Sequence, residues 1–269
     1  MKFLKLGKRY SFNDEDLITN SHKTVEIDTR IIDVVNEVVR YVYSIEEVEP
    51  DSVYLRGSCL ESNIDRALDI DLTIVYNQVI DLKGNYGFTL SDGKWSHSDQ
   101  LRELYSKMGI FPDFQIMSEL GFRSCRDLRF LSKKVYGSGE DLSLPSISLS
   151  SLRKLYSYPE TLDNHRNMRV LKKILHGDVE ADRVVFERVV KNLIEDFYRD
   201  FGIDMLLKDR MYSRSLYMCH KTLLKSMPNL SDKLEKVLDL FLNTGNYSYA
   251  DVEPLIHEMV YLSKELQHQ

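Results

Sequence analysis

The spacing of hydrophobic positions changes near the middle of the chain and divides it into two halves. Ile31, Val34, Val35, Val38, Val39 and Val42 recur at helical intervals, which predicts an amphipathic helix from about Asp28 to Ile45. Pro50-Asp51-Ser52 breaks that pattern, and Val53-Tyr54-Leu55 reads as a short strand. Gly57-Ser58 interrupts the strand, and the stretch from Leu60 to Ala67 has room for a short helix. Asp69 to Tyr76 alternates strongly and is rich in Ile, Leu, Thr and Val, so a second strand is expected. From Asp81 to Asp99 the chain is polar and contains glycine, which fits a hairpin or a mobile loop carrying Trp95 and His97. Leu101 to Met108 reads as helical, Phe114 to Met117 as a third strand, and Cys125 to Lys134 as another helix leading into Val135-Tyr136-Gly137.

After Ser138-Gly139 and Pro145 the periodicity is helical almost throughout. Val184, Val185, Val189, Leu193, Ile194, Phe197 and Phe201 form one long apolar face. Leu216, Leu223 and Leu224 form a second, and Leu234, Val237, Leu238, Phe241 and Leu242 a third. Gly177, Gly202, Pro228 and Gly245 punctuate these runs, and Tyr198, Tyr212 and Tyr217 read most simply as packing residues. There is no internal repeat and no low-complexity tract. The expected fold is α+β, with one domain over residues 1–144 and an all-α helical domain over residues 145–269.

Composition narrows the class. With 269 residues and 43% apolar side chains the chain has ample material for a packed core and does not read as disordered. No apolar run reaches the roughly 18–20 residues of a transmembrane helix. Met1 to Tyr10 is basic but lacks a long apolar stretch and a small-residue cleavage site, so no signal peptide is expected. Cys59, Cys125 and Cys219 are widely spaced and odd in number, which fits reduced thiols in a cytoplasmic protein rather than a disulfide scaffold or a cysteine zinc site. The seven histidines show no metal-ligand spacing. Residues 1–144 carry 18 basic and 24 acidic side chains and residues 145–269 carry 18 of each, so the whole net charge of −6 sits in the first half. That balance argues against a generic nucleic-acid binder and suits a site for divalent cations.

The chemistry concentrates in Leu55-Arg56-Gly57-Ser58 and, ten residues on, Asp69-Ile70-Asp71-Leu72-Thr73-Ile74-Val75. Alternation along a strand puts Asp69 and Asp71 on one face and Ile70 and Leu72 on the other. Two carboxylates on one face repel unless a cation lies between them, and hard oxygen ligands suit Mg²⁺. The Gly-Ser turn offers backbone N–H groups and a hydroxyl to an anion. Asp113, within Phe111-Pro112-Asp113-Phe114-Gln115 and just before the third strand, supplies a third acid. Such a group can complete a two-metal site and help deprotonate an acceptor hydroxyl.

These residues resemble the signature of the DNA-polymerase-β-like nucleotidyltransferase superfamily: Gly57-Ser58, a ten-residue spacer, Asp69-Ile70-Asp71 between apolar neighbours, and a later strand-borne Asp113. The superfamily includes aminoglycoside nucleotidyltransferases, CCA-adding enzymes, poly(A) polymerases and the small nucleotidyltransferases of toxin–antitoxin pairs. The resemblance spans roughly residues 31–141, and Val135-Tyr136-Gly137 with Asp141-Leu142 is similar to the segment closing the catalytic domain in small-substrate members. Met211 to Cys219 resembles, more weakly, a helical segment of uncharacterised bacterial members. The resemblance implies a mixed sheet with flanking helices, ATP or another NTP as donor, and transfer of a nucleoside monophosphate with release of pyrophosphate. It assigns Gly57 and Ser58 to the triphosphate, Asp69 and Asp71 to two Mg²⁺ ions, and Asp113 to one ion and to deprotonation. The acceptor would be a small molecule, a protein or an RNA end such as a tRNA terminus, and a protein partner fits the toxin–antitoxin members. The alternative is a non-catalytic nucleotide-binding or antitoxin-like module of the same fold. Cys59-Leu60-Glu61-Ser62-Asn63 departs from the family pattern by lacking a further glycine after the turn.

Basic residues offer further candidates. Arg56 adjoins the turn and is placed either against phosphate or in a surface ion pair. Arg123, Arg126, Arg129 and Lys133 fall at spacings of three, three and four, as one helix face for phosphates or RNA, or as a solvated charged face. Arg166, Arg169, Lys172, Lys173 and His176 form a similar face early in the second half, with Arg169, Lys172 and Lys173 as nucleotide-binding candidates.

Overall fold

The computed structural model describes residues 8–61, 69–84, 88–91, 94–97, 111–156 and 162–267. In chain order its strands are β1 (Tyr10–Ser11), β2 (Leu17–Thr19), β3 (Ser52–Arg56), β4 (Asp69–Tyr76), β5 (Phe88–Ser91), β6 (Lys94–His97), β7 (Phe111–Ser118), β8 (Lys133–Tyr136), β9 (Ser146–Ser148), β10 (Glu180–Ala181) and β11 (Met211–Tyr212). The chain divides into two units, one made of Asn13–Gly87 with His97–Leu152, the other of Met1–Phe12, Phe88–Ser96 and Arg153–Gln269.

The first unit is built on a mixed four-stranded sheet in the order β7-β4-β3-β8, with β4 parallel to β7 and antiparallel to β3. One face packs on the helix Thr29–Glu46. The carboxylate of Asp28 caps that helix by accepting the Arg30 N–H, and Glu47, at φ 59°, ends it. Ile31, Val35, Val38, Val39 and Val42 on the helix meet Val53 and Leu55 of β3 and Ile70, Leu72, Ile74 and Tyr76 of β4. Each such side chain contributes roughly 1.5–3 kcal/mol when fully buried. The opposite face is apolar only at one end, where Tyr54 and Val75 pack with Phe122 and Leu142. The Tyr54 hydroxyl accepts the Leu142 N–H at 2.9 Å, so the aromatic anchor also satisfies a loop donor.

Several expectations are corrected. The third strand is Phe111–Ser118, so Asp113 lies inside it rather than before it. Among the described residues β7 has only β4 as a neighbour, and a proline without an N–H, Pro112, fits such an edge. The helical pattern from Cys125 to Lys134 is instead Glu119–Ser124 and Arg126–Phe130, separated by Cys125 in a non-helical conformation, and Lys133 begins β8. Trp95 and His97 lie in β6 rather than in a loop, consistent with the hairpin alternative, since β5 neighbours β6. The short helix near Leu60 covers Ser58–Glu61, residues 62–68 lie outside the described residues, and so does the helix expected over Leu101 to Met108.

The second unit is helical, centred on Arg183–Lys208, whose Val185, Phe186, Val189, Val190, Leu193, Ile194, Phe197 and Phe201 are buried. Val184, one position off that stripe, is 58% exposed. Gly202 does not punctuate a helix but sits within this one, where a Cβ would lie 2.4 Å from the Cys219 Cβ on helix Leu216–Ser226. Tyr198 is buried and its hydroxyl donates to the Leu234 carbonyl at 2.6 Å on helix Ser231–Leu242. The region is not all-α: β11 pairs with β1, and β10 pairs in parallel with β6. Among the described residues no helix is long and apolar enough to cross a membrane.

Candidate active site

Residues paired in register on neighbouring strands share a face of the sheet. On the face away from the Thr29–Glu46 helix this register produces three rungs. Ser52, Val75 and Met117 form the first; Tyr54, Thr73 and Gln115 the second; Arg56, Asp71 and Asp113 the third. The face thus changes from apolar packing to charge over two rungs, and the charged rung lies where β3 ends and β4 begins.

Gly57 follows immediately. Its φ of +72° is a left-handed conformation, and a Cβ built on it would stand 1.9 Å from Asp71 Oδ2 and 2.9 Å from Asp71 Cγ. The Asp71 carboxylate therefore lies over the bare Cα of Gly57. Only glycine satisfies both the backbone angle and that approach. The Gly57 carbonyl accepts the Leu60 N–H at 3.1 Å, which starts the single helical turn Ser58–Glu61. Among the described residues no hydrogen bond or ion pair engages the Asp71 carboxylate. Arg56, half-buried, donates from Nη2 to the Leu72 carbonyl at 3.4 Å. Gln115 Nε2 donates to Thr73 Oγ1 at 3.1 Å across the middle rung.

The donor set suits a hard cation. Asp71 and Asp113 present carboxylate oxygens from adjacent parallel strands at matched register, with Arg56 opposite Asp71 on β3, and a hard cation shared by the two acids would lower their mutual repulsion further. Asp69 opens β4, paired in register with Phe111, while its side chain and that of Ser58 lie outside the described residues. Among the described residues no group of three or more His, Cys, Asp or Glu is arranged to hold a metal ion.

Gly57, Ser58, Arg56, Asp69, Asp71 and Asp113 all belong to the sheet unit, and Arg169, Lys172 and Lys173 to the helical unit. On helix Arg166–Leu175 the residues Met168, Leu171 and Ile174 are buried, leaving Arg166, Arg169 and Lys173 exposed. Lys172 pairs with Asp163 at 2.9 Å, and exposed His176 caps the C-terminus. The proposed basic face of Arg123, Arg126, Arg129 and Lys133 does not form. Arg123 pairs with Glu119 and Glu140, Arg126 donates to Ser151, Arg129 to the Leu142 carbonyl, and Lys133 to the Val25 carbonyl.

Two groupings escaped the sequence. Thr73 and Gln115 share the parity of the acids on their strands, which was readable, but their mutual contact depends on β4–β7 register. In the helical unit His165 lies 3.8 Å from Asp196 and 3.5 Å from Asp200, two acids one turn apart. Burial pushes the Asp200 carboxyl up to about 6, against the opposing pull of His165. No protein-family model matches the chain, and no curated protein matches it.

Proposed function

We propose that the chain is a Mg²⁺-dependent nucleotidyltransferase that moves a nucleoside monophosphate from an NTP to an acceptor hydroxyl and releases pyrophosphate. The observation that carries this reading is the Asp71 carboxylate lying over the Cα of Gly57, in register with Asp113. Asp69, Asp71 and Asp113 would hold two ions. When bound, the ions neutralise charge developing on the α-phosphate and the leaving group.

The chain's own residues supply the rest. Gly57 leaves the turn after β3 without a side chain, and the space that a Cβ would take is held by the Asp71 carboxylate, which brings the turn's backbone N–H groups beside the proposed cation. Ser58 offers a hydroxyl, and Arg56 provides a cation on the same rung as the acids. Asp113 accepts the proton of the acceptor hydroxyl. Of the three basic candidates on helix Arg166–Leu175, Arg169 and Lys173 are exposed, whereas Lys172 is held by Asp163. The balanced charge of residues 145–269 favours a small-molecule or protein acceptor over a long polynucleotide.

The test uses each of the four α-labelled NTPs with Mg²⁺ and a cell lysate, followed by location of label in protein, RNA and small-molecule fractions. Asp71→Asn and Asp113→Asn variants that remain folded should each lose more than tenfold in transfer, equivalent to at least about 1.4 kcal/mol of barrier. Full transfer by either variant, or NTP binding of equal strength in Mg²⁺ and in EDTA, would refute the metal assignment.

A further inference from the structure

One rung behind the two carboxylates, the face keeps a polar pair where core packing would otherwise begin. Thr73 is fully buried and Gln115 half-buried, and the amide of Gln115 donates to the Thr73 hydroxyl at 3.1 Å. The next rung, Val75 and Met117, is apolar and joins the packing around Tyr54 and Phe122. A valine in place of Thr73 would fill the same space and suit a strand better, without a polar group to satisfy. The retained pair therefore costs packing stability at a position adjoining the acids.

With Nε2 committed to Thr73, the remaining polar atom of the Gln115 side chain is its acceptor oxygen. Among the described residues no hydrogen bond to that oxygen is present. Residues two apart on a parallel strand lie about 6.6 Å apart. That spacing lets side chains on one strand face share a site, as Asp69 and Asp71 would, and with its amide tied across the rung to Thr73 the Gln115 oxygen is left to meet the cation's shell through a water. Mg²⁺ keeps several waters rather than taking an all-protein shell, and each such water needs an acceptor.

We propose that Gln115 is a positioning residue of the acid site: its Oε1 accepts from a water carried by the cation at Asp71 and Asp113, and Thr73 fixes the amide in that orientation. The inference rests on the metal-site reading given above. Partners of this kind typically alter metal affinity by 10–100-fold.

Mn²⁺ binding to the full chain, measured by paramagnetic resonance without nucleotide, tests it. Gln115→Leu should weaken Mn²⁺ binding by 10–100-fold while urea unfolding stays at or above the wild-type midpoint. Gln115→Glu, which keeps an acceptor oxygen, should bind at least as well as wild type, a rescue that a merely structural role would not give. Thr73→Val should weaken binding in the same direction by a smaller factor, and it serves as the decisive variant if Gln115→Leu does not fold. Wild-type affinity in both Gln115→Leu and Thr73→Val, with binding abolished in Asp71→Asn, would overturn this inference and leave the metal site standing. Absence of Mn²⁺ binding by the wild-type chain would overturn both.

Discussion

Gly57 and Gly177 form a matched pair for measuring what the carboxylate contact contributes. Both are left-handed, at φ +72° and +75°, but a Cβ at Gly177 meets nothing within 4 Å. Gly177 follows the helix Arg166–Leu175 and its N–H donates to the Ile174 carbonyl, so Gly177→Ala imposes the backbone penalty alone, about 1 kcal/mol. Gly57→Ala imposes that penalty and also places Cβ 1.9 Å from Asp71 Oδ2, short of the 3.0 Å that real Cβ contacts observe. The carboxylate must retreat by about 1 Å, and leaving its rotamer costs about 0.5–1.5 kcal/mol more. Urea unfolding followed by circular dichroism should therefore show Gly57→Ala losing about 2 kcal/mol, roughly twice the loss of Gly177→Ala. Metal sites tolerate only about 0.2 Å of ligand displacement, so Gly57→Ala should also weaken Mn²⁺ binding at least tenfold while Gly177→Ala leaves it unchanged. Equal stability losses together with equal Mn²⁺ affinities would show that Asp71 does not lie over Gly57 and would refute the proposed metal site.

Two further predictions concern the helical unit. Gly202→Ala should destabilise by about 1–2 kcal/mol in urea, because a Cβ 2.4 Å from Cys219 Cβ and 2.7 Å from its Cα forces two helices apart, outweighing the gain of up to about 1 kcal/mol from removing a helical glycine; a stabilised variant would refute the close approach. Asp200 has a folded-state pKa raised to about 6 from 3.8, so the folded chain binds the proton more tightly and stability contributed below pH 4 is lost as pH rises through 6. Asp200→Asn should accordingly match wild type in urea at pH 4 and exceed it by about 1 kcal/mol at pH 7.5, where solvent reaching the partly exposed side chain moderates the effect; a variant less stable than wild type at pH 7.5 would mean that the His165 contact outweighs burial.

The elements that sequence reading located best are those whose local pattern and tertiary role agree. Asp69–Tyr76 is found with the expected ends because its alternating run of Ile, Leu, Thr and Val agrees with its place as a central strand of the sheet. The Thr29–Glu46 helix is displaced by one residue at each end from the expected Asp28 to Ile45, since its apolar stripe is continuous. Misreadings arose where a local signal had a non-local cause. Asp113 reads as lying just before the third strand, yet an edge strand admits Pro112 and begins at Phe111. Gly202 reads as a helix end, yet the facing Cys219 requires it in mid-helix. The basic run from Arg123 to Lys133 reads as one face only if Cys125 is helical, and its φ of −88° and ψ of 78° break the helix there. For the same reason Asp71 and Asp113 could be named singly from sequence, but their shared rung could not. Their strands are joined by more than thirty residues, and nothing in the alternation announces parallel pairing at Asp71↔Asp113.

The proposed cation site also draws on the stability cost of that rung. Three choices there each work against stability. Two carboxylates at matched positions on neighbouring strands repel, a cost that Arg56 opposite Asp71 lessens. A glycine at Gly57 raises the entropy of the unfolded chain by about 0.5–1 kcal/mol relative to alanine. A threonine–glutamine pair occupies the next rung in place of apolar packing. Distributed over a surface, such departures would be unremarkable drift. Gathered on one face of one sheet, within two rungs, they would have a common resolution in the proposed cation, which would relieve the repulsion, use the approach that the glycine opens and give the amide oxygen a partner. A single ligand that converts three local costs into contacts is the physical form in which a binding site differs from a poorly packed sheet end.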